Sequence, residues 1–173
     1  MHKVLLLMVA VFCGMAATSP ALARGGGGCV ERGTLIRTPA GLTAVEQLRP
    51  GDRVWAVSGG ANGVAAVRAV TTVTPDEYFE LTAGGRTLRV TGEHPIEIAP
   101  GVFRMASRLR TGQPVYISDA KAVGPGKMEG VSRARGGSPA YNLLVAPYGT
   151  YIAGGIVVHN KGCFLPETLI RRE

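Results

Sequence analysis

This sequence leaves no room for a long helix. Its apolar runs are short, and glycine or proline closes them one after another. "TLIRTPAGLTAV" (34–45) reads as a hairpin around Pro39-Ala40-Gly41, and "DRVWAVS" (52–58) alternates behind the turn residues Pro50-Gly51. "VAAVRAVTTVTP" (64–75), "EYFELTA" (77–83) and "RTLRVTGEHPIEI" (86–98) follow, and Gly84-Gly85 joins the last two as a hairpin turn would. "QPVYIS" (113–118), "AYNLLVAP" (140–147) and "TYIAGGIVVHN" (150–160) complete the set. Only "TAVEQL" (43–48) and "RMASRL" (104–109) offer helical spacing, each for about a turn or two. There is no alternation of strand and helix. The expectation is an all-β domain of short strands and tight turns. "DAKAVGPGKMEGVSRARGGSP" (119–139) reads as a mobile Gly- and Pro-rich loop within it.

The first 23 residues are read apart from the fold. "MHKVLLLMVAVFCGMAATSPALA" has a basic start, an apolar centre and a small-residue end, the pattern of a Sec-type signal peptide cut after Ala23. Cys13 follows bulky Phe12, which argues against a lipid anchor there. The expected location of the mature chain is secreted or periplasmic, with no membrane contact after signal removal. Residues 24–28 are a Gly-rich linker, 29–160 the domain, and 161–173 a tail. The domain and tail are long enough for one real core. The charge of +7, or +6 once Lys3 has left, is scattered over loop-like sequence with no interleaved aromatics. A nucleic-acid partner is therefore not expected, and neither is an oligomer.

Few residues remain for chemistry. Beyond the signal the cysteines are Cys29 and Cys163 and the histidines His94 and His159. Cys29 opens the ordered region, and its thiolate could attack the carbonyl of Gly28 and move that acyl group to sulfur. "VTGEHPIEI" sets Thr91 and His94 three apart around a turn, so a hydroxyl and an imidazole can face one peptide. Imidazole suits proton transfer near neutral pH. At the far end, His159 precedes Asn160 after an apolar run. An asparagine amide can attack its own carbonyl and break the following peptide bond if a neighbour polarises that carbonyl and water is kept out. Taken singly, each residue has a plainer reading: a structural disulfide, a strand-end histidine, a turn asparagine. Their order along the chain carries more weight.

That order resembles the Hint module of hedgehog and intein proteins, in its bacterial intein-like form. "CVERGTLIRTPAGLTAVEQLRPGDRVWA" is similar to the family's opening, "VTGEHPI" to its T-x-x-H segment, and "AYNLLVAPYGTYIAGGIVVHN" to its closing strands. The resemblance implies a compact horseshoe-like fold with both ends at one centre. Cys29 would be the nucleophile, Thr91 and His94 would support the acyl shift, His159 would assist, and Asn160 would cyclise. No cofactor is implied. The substrate would be the chain's own flanking segments, in a single turnover. Lys161 stands where splicing members carry a Cys, Ser or Thr acceptor, so self-cleavage is expected over splicing. Asn142 and Gly149 stand where the family often has an acidic or Cys residue and a His, which should slow coupling between the ends.

Two other readings stay open. A Cys29–Cys163 disulfide would close a catalytically silent secreted domain and add roughly 4 kcal/mol in the chain-entropy model. Cys29, His94, His159 and Cys163 offer two sulfurs and two imidazoles, a set zinc accepts, though the spacing is not that of a dedicated site. "CFLPETLIRR" from Cys163 echoes "CVERGTLIRT" from Cys29, as the start of a second module would.

Overall fold

The computed structural model describes residues 28–119 and 122–160. The signal segment, Lys161, Cys163 and the echoing tail all lie outside the described residues, as does any Cys29–Cys163 bond.

Fourteen strands follow in chain order. They are β1 (Val30–Glu31), β2 (Leu35–Thr38), β3 (Gly41–Ala44), β4 (Arg53–Ser58), β5 (Ala61–Val73), β6 (Glu77–Ala83) and β7 (Arg86–Val90). After them come β8 (Pro95–Ala99), β9 (Val102–Met105), β10 (Pro114–Ser118), β11 (Val123–Arg135), β12 (Ala140–Ala146), β13 (Thr150–Ala153) and β14 (Ile156–His159). The two stretches with helical spacing are single 3-10 turns, Val45–Gln47 and Ala106–Arg108. The all-β reading holds.

The strands form one long, open sheet with order β3-β2-β13-β14-β10-β11-β6-β7-β1-β12-β5-β4, and β8 with β9 branches from β14. Gly84 and Gly85, at φ +58° and +67°, make the tight β6–β7 turn that their lack of a Cβ permits. The run 86–98 is broken into β7 and β8 by a turn at Thr91–His94, where the His94 N–H donates to the Thr91 carbonyl at 3.0 Å. Ile36, Leu81, Leu88, Ile96, Leu143 and Ile156 fill the interior that the curling sheet encloses.

The segment expected to be a mobile loop is instead β11, thirteen residues long. It joins the two halves of the sheet: its first part pairs with β10 and its second with β6. Its glycines and proline are strand-compatible because of what lies beside them. A Cβ at Gly126 would come within 2.7 Å of Ile117 Cδ1, so the isoleucine on β10 fills the space that glycine leaves. Met128 is fully buried and anchors the strand, and a bulge between Met128 and Gly130 absorbs the change of partner.

Candidate active site

Gly28 and Cys29 enter β1, a two-residue strand between β7 and β12. The Cys29 N–H donates to Thr91 Oγ1 at 2.9 Å, and the Thr91 N–H donates to the Cys29 carbonyl at the same distance. Thr91 thus grips the nitrogen of the Gly28–Cys29 peptide bond with its side chain and the next carbonyl with its backbone. The Cys29 side chain is 2% exposed and packs with Tyr78 and Ala140 in a small apolar cluster. The Tyr78 hydroxyl closes that cluster by donating to the Ser138 carbonyl at 2.9 Å.

His94 is placed by its backbone. Its N–H donates to Thr91, and its carbonyl accepts the Ala106 N–H at 2.9 Å from the 3-10 turn at 106–108. Among the described residues neither ring nitrogen has a hydrogen-bond partner, and His94 is completely buried. Gly28 lies directly on it: a Cβ at position 28 would stand 2.8 Å from both His94 Cα and Nδ1. Burial pushes the His94 pKa down to about 3, against a weaker pull upward from the backbone of Cys29 and Gly28. At pH 7 His94 is a neutral imidazole, because the interior offers its cation too little solvation.

The other end is built differently. His159 ends β14, paired with Thr150 on β13, and its ring meets Phe103 edge-on with centroids 4.9 Å apart. It is half-buried, and that burial lowers its pKa, with the Asn160 backbone opposing. The Asn160 N–H donates to the Gly149 carbonyl at 2.7 Å. The side chain is buried, and its surroundings orient the amide: the nitrogen faces two acceptors, Val145 O at 3.3 Å and Gly149 O. Gly149 has φ +71°, and a Cβ there would meet His159 Nε2 at 2.8 Å.

The five residues singled out in the sequence therefore gather in one region. Thr91 touches Cys29, His94 covers Gly28, and the pairing of Ile96 on β8 with Val158 on β14 brings the His94 turn beside His159 and Asn160. Sequence reasoning missed Tyr151, which is fully buried with its ring edge-on to His94, centroids 6.3 Å apart. An aromatic with a polar tip inside the apolar run "TYIAGGIVV" was the available signal. It also missed Phe103 and the steric role of Gly28. Among the described residues no group of three or more His, Cys, Asp or Glu is arranged to hold a metal ion. Cys163, the fourth ligand of the metal reading, lies outside them.

Comparison with known proteins decides the family. The Hint domain model matches residues 28–123. The chain belongs to the Hint domain family. A bacterial intein-like domain from Clostridium thermocellum, solved in solution, superposes with a TM-score of 0.68 and 25% identity, covering 76% of this chain and 98% of that one. A DnaB intein from Synechocystis sp. superposes with a TM-score of 0.70 at 16% identity, covering 78% of this chain and 99% of that one. The gp41-1 intein gives 0.66 at 20% identity, with 78% and 99% covered. Among curated proteins no relative is matched. For a Hint domain, convergence of the first and last described residues on one centre is the expected architecture.

Proposed function

We propose that this Hint domain is an autocatalytic self-processing unit that cuts its own chain at one or both ends, and does not splice. The observation that carries the reading is the grip on the Gly28–Cys29 peptide. Thr91 holds its nitrogen while a neutral, sealed imidazole covers its acyl side.

The Cys29 thiol gives its proton to neutral His94, and sulfur attacks the Gly28 carbonyl carbon. The oxyanion that forms collapses, the C–N bond breaks, and the imidazolium returns the proton to the departing nitrogen. The product is a thioester between Gly28 and Cys29 with a new amine, balanced as an isomerisation. Burial makes the imidazolium short-lived, which favours its giving the proton up to nitrogen. Water or an external thiol then releases the segment before Cys29.

At the other end, the Asn160 side-chain nitrogen attacks the Asn160 carbonyl carbon. The bond to Lys161 breaks, leaving a succinimide and a new amino terminus. Val145 O and Gly149 O accept from the amide and hold it in place, and His159 protonates the leaving nitrogen. Lys161 offers no thiol or hydroxyl to receive an acyl group, which supports cleavage over splicing. The signal-like residues 1–23 support a secreted or periplasmic setting for this activity.

Intact-mass spectrometry of the full chain, after long incubation with and without dithiothreitol, tests the proposal. Two cuts are expected, one before Cys29 and one after Asn160. Cys29→Ala should remove only the first and Asn160→Ala only the second. An unchanged mass under both conditions would sink the reading, and an oxidised Cys29 on thiol counting would favour the silent, disulfide-closed domain.

A further inference from the structure

Tyr151 presents a hydroxyl that nothing in the fold explains. It is fully buried on β13, and among the described residues its oxygen has no hydrogen-bond partner. Leaving a buried polar group unsatisfied is unfavourable, and such groups are few in native proteins. The sense of the β1 ladder shows what the hydroxyl faces. The Arg32 N–H donates to the Pro139 carbonyl, and Val30 pairs with Tyr141 on β12. Carried back two residues, this register sets Gly28 opposite Leu143. Cys29, between them, spends its N–H and carbonyl on Thr91 at the β7 side. Since the Gly28–Cys29 peptide is trans, the Gly28 carbonyl points away from the Thr91 hydroxyl, toward β12. The Tyr151 phenol lies close enough to the Leu143 backbone and to Cys29 for both to shift its pKa, and its ring is edge-on to His94 with centroids 6.3 Å apart.

We propose that the Tyr151 O–H and the Leu143 N–H form the oxyanion hole for the Gly28 carbonyl. This rests on the self-processing reading above and adds its electrostatic half. As sulfur bonds to the Gly28 carbon, the carbonyl π electrons move onto oxygen. The two donors receive that charge and release it when the C–N bond breaks. No proton leaves Tyr151. Burial holds the phenol above its ordinary range, so it is a donor at every working pH. The hydroxyl proton has no acceptor among the described residues in the resting state, and the oxygen of the intermediate supplies one.

The test is Tyr151→Phe in the full chain, followed by intact mass with and without dithiothreitol. Removing one oxyanion donor should slow the Cys29 cut on the order of 10² to 10³-fold. The Asn160 cut should keep its rate. The midpoint of thermal unfolding should stay or rise, because an unsatisfied buried hydroxyl has been deleted. A Cys29 cut within about three-fold of wild type would overturn the assignment. So would parallel loss of both cuts, or a lowered midpoint, since either marks Tyr151 as packing alone. Wild type separates the two levels of inference. If it makes no Cys29 cut, the thioester half of the proposed function fails and the oxyanion hole with it. If wild type cuts and Tyr151→Phe cuts equally well, only the hole fails.

Discussion

The two ends of the domain each set an imidazole against the backbone, and they do so in opposite ways. At the Cys29 end the imidazole is wholly buried, fixed by backbone hydrogen bonds and packed edge-on to Tyr151. At the Asn160 end the imidazole is half open and meets one aromatic ring, Phe103, edge-on. Each end also has a glycine whose missing side chain lets the imidazole approach, Gly28 for His94 and Gly149 for His159. The difference fits the chemistry of the proposed mechanism. Thiol attack on an amide needs an uncharged base and a dry oxyanion, so the site is sealed. Cyclisation of an asparagine needs a donor for a leaving nitrogen, and a group that solvent reaches on one side keeps more of its proton affinity.

The largest test of that contrast is the behaviour of His94 in acid. Below pH 6.5 the unfolded chain binds a proton at this residue, while the folded chain does not until about pH 3. Stability present above pH 6.5 is therefore lost as the pH falls through this window. Between pH 7 and pH 4 the loss amounts to roughly 3 kcal/mol. His94→Gln removes it. Glu97 works the other way, since burial raises its pKa and its contribution fades as the pH rises, but it is present in both proteins and cancels in the difference. Urea unfolding of wild type and His94→Gln at the two pH values reads that difference directly. Equal losses in the two proteins would mean that His94 is not sealed and that the contrast between the ends is false.

The glycines come next. In Gly28→Val, the Cβ lands 2.8 Å from a backbone atom of His94, which cannot swing away. The Cys29 cut should fall about 10²-fold or more through misplacement of the acyl carbon, while the Asn160 cut holds. Gly149→Ala is gentler. Its Cβ meets the end of a half-open imidazole that can shift, and the left-handed backbone adds about 1 to 2 kcal/mol of strain. The Asn160 cut should slow by about ten-fold with the Cys29 cut little changed. Both rates come from one mass-spectrometric time course. If Gly149→Ala harms the Cys29 cut more than the Asn160 cut, the two centres are not separable in the way their geometry suggests.

Much of this was written in local sequence. Alternating runs such as "EYFELTA" and the Gly84-Gly85 pair specify strands and a turn from neighbours alone, and both stand where expected. The T-x-x-H turn is equally local, because its hydrogen bond spans three residues. The failures are all non-local. Gly124, Pro125 and Gly126 read as loop because the residue that makes a strand of them, Ile117, belongs to another strand. The low pKa of His94 depends on what covers it, which no spacing of residues reveals. Gly149 reads as the loss of a histidine, yet the fold gives it a steric role against His159. Tyr151 acquires meaning only once β1 is seen paired with β12, with Val30 opposite Tyr141, so that Gly28 is carried toward Leu143.

The smallest expected effect falls on Phe103. Its ring packs edge-on with the His159 imidazole, and burial is the leading cause of that residue's lowered pKa. Phe103→Ala should admit water to the imidazole and let the His159 pKa rise toward the ordinary value near 6.5. His94, enclosed by other residues, should not move. The pH dependence of the Asn160 cut should shift upward in step with His159, with a change of only a few-fold in rate at the optimum. An NMR titration of the two imidazole Cε1 protons measures both responses in one sample. A rise at His159 with none at His94 sharpens the division between an open and a sealed centre. Equal movement of the two would show that Phe103 closes both, and that the half-open end owes its character to something other than the ring beside it.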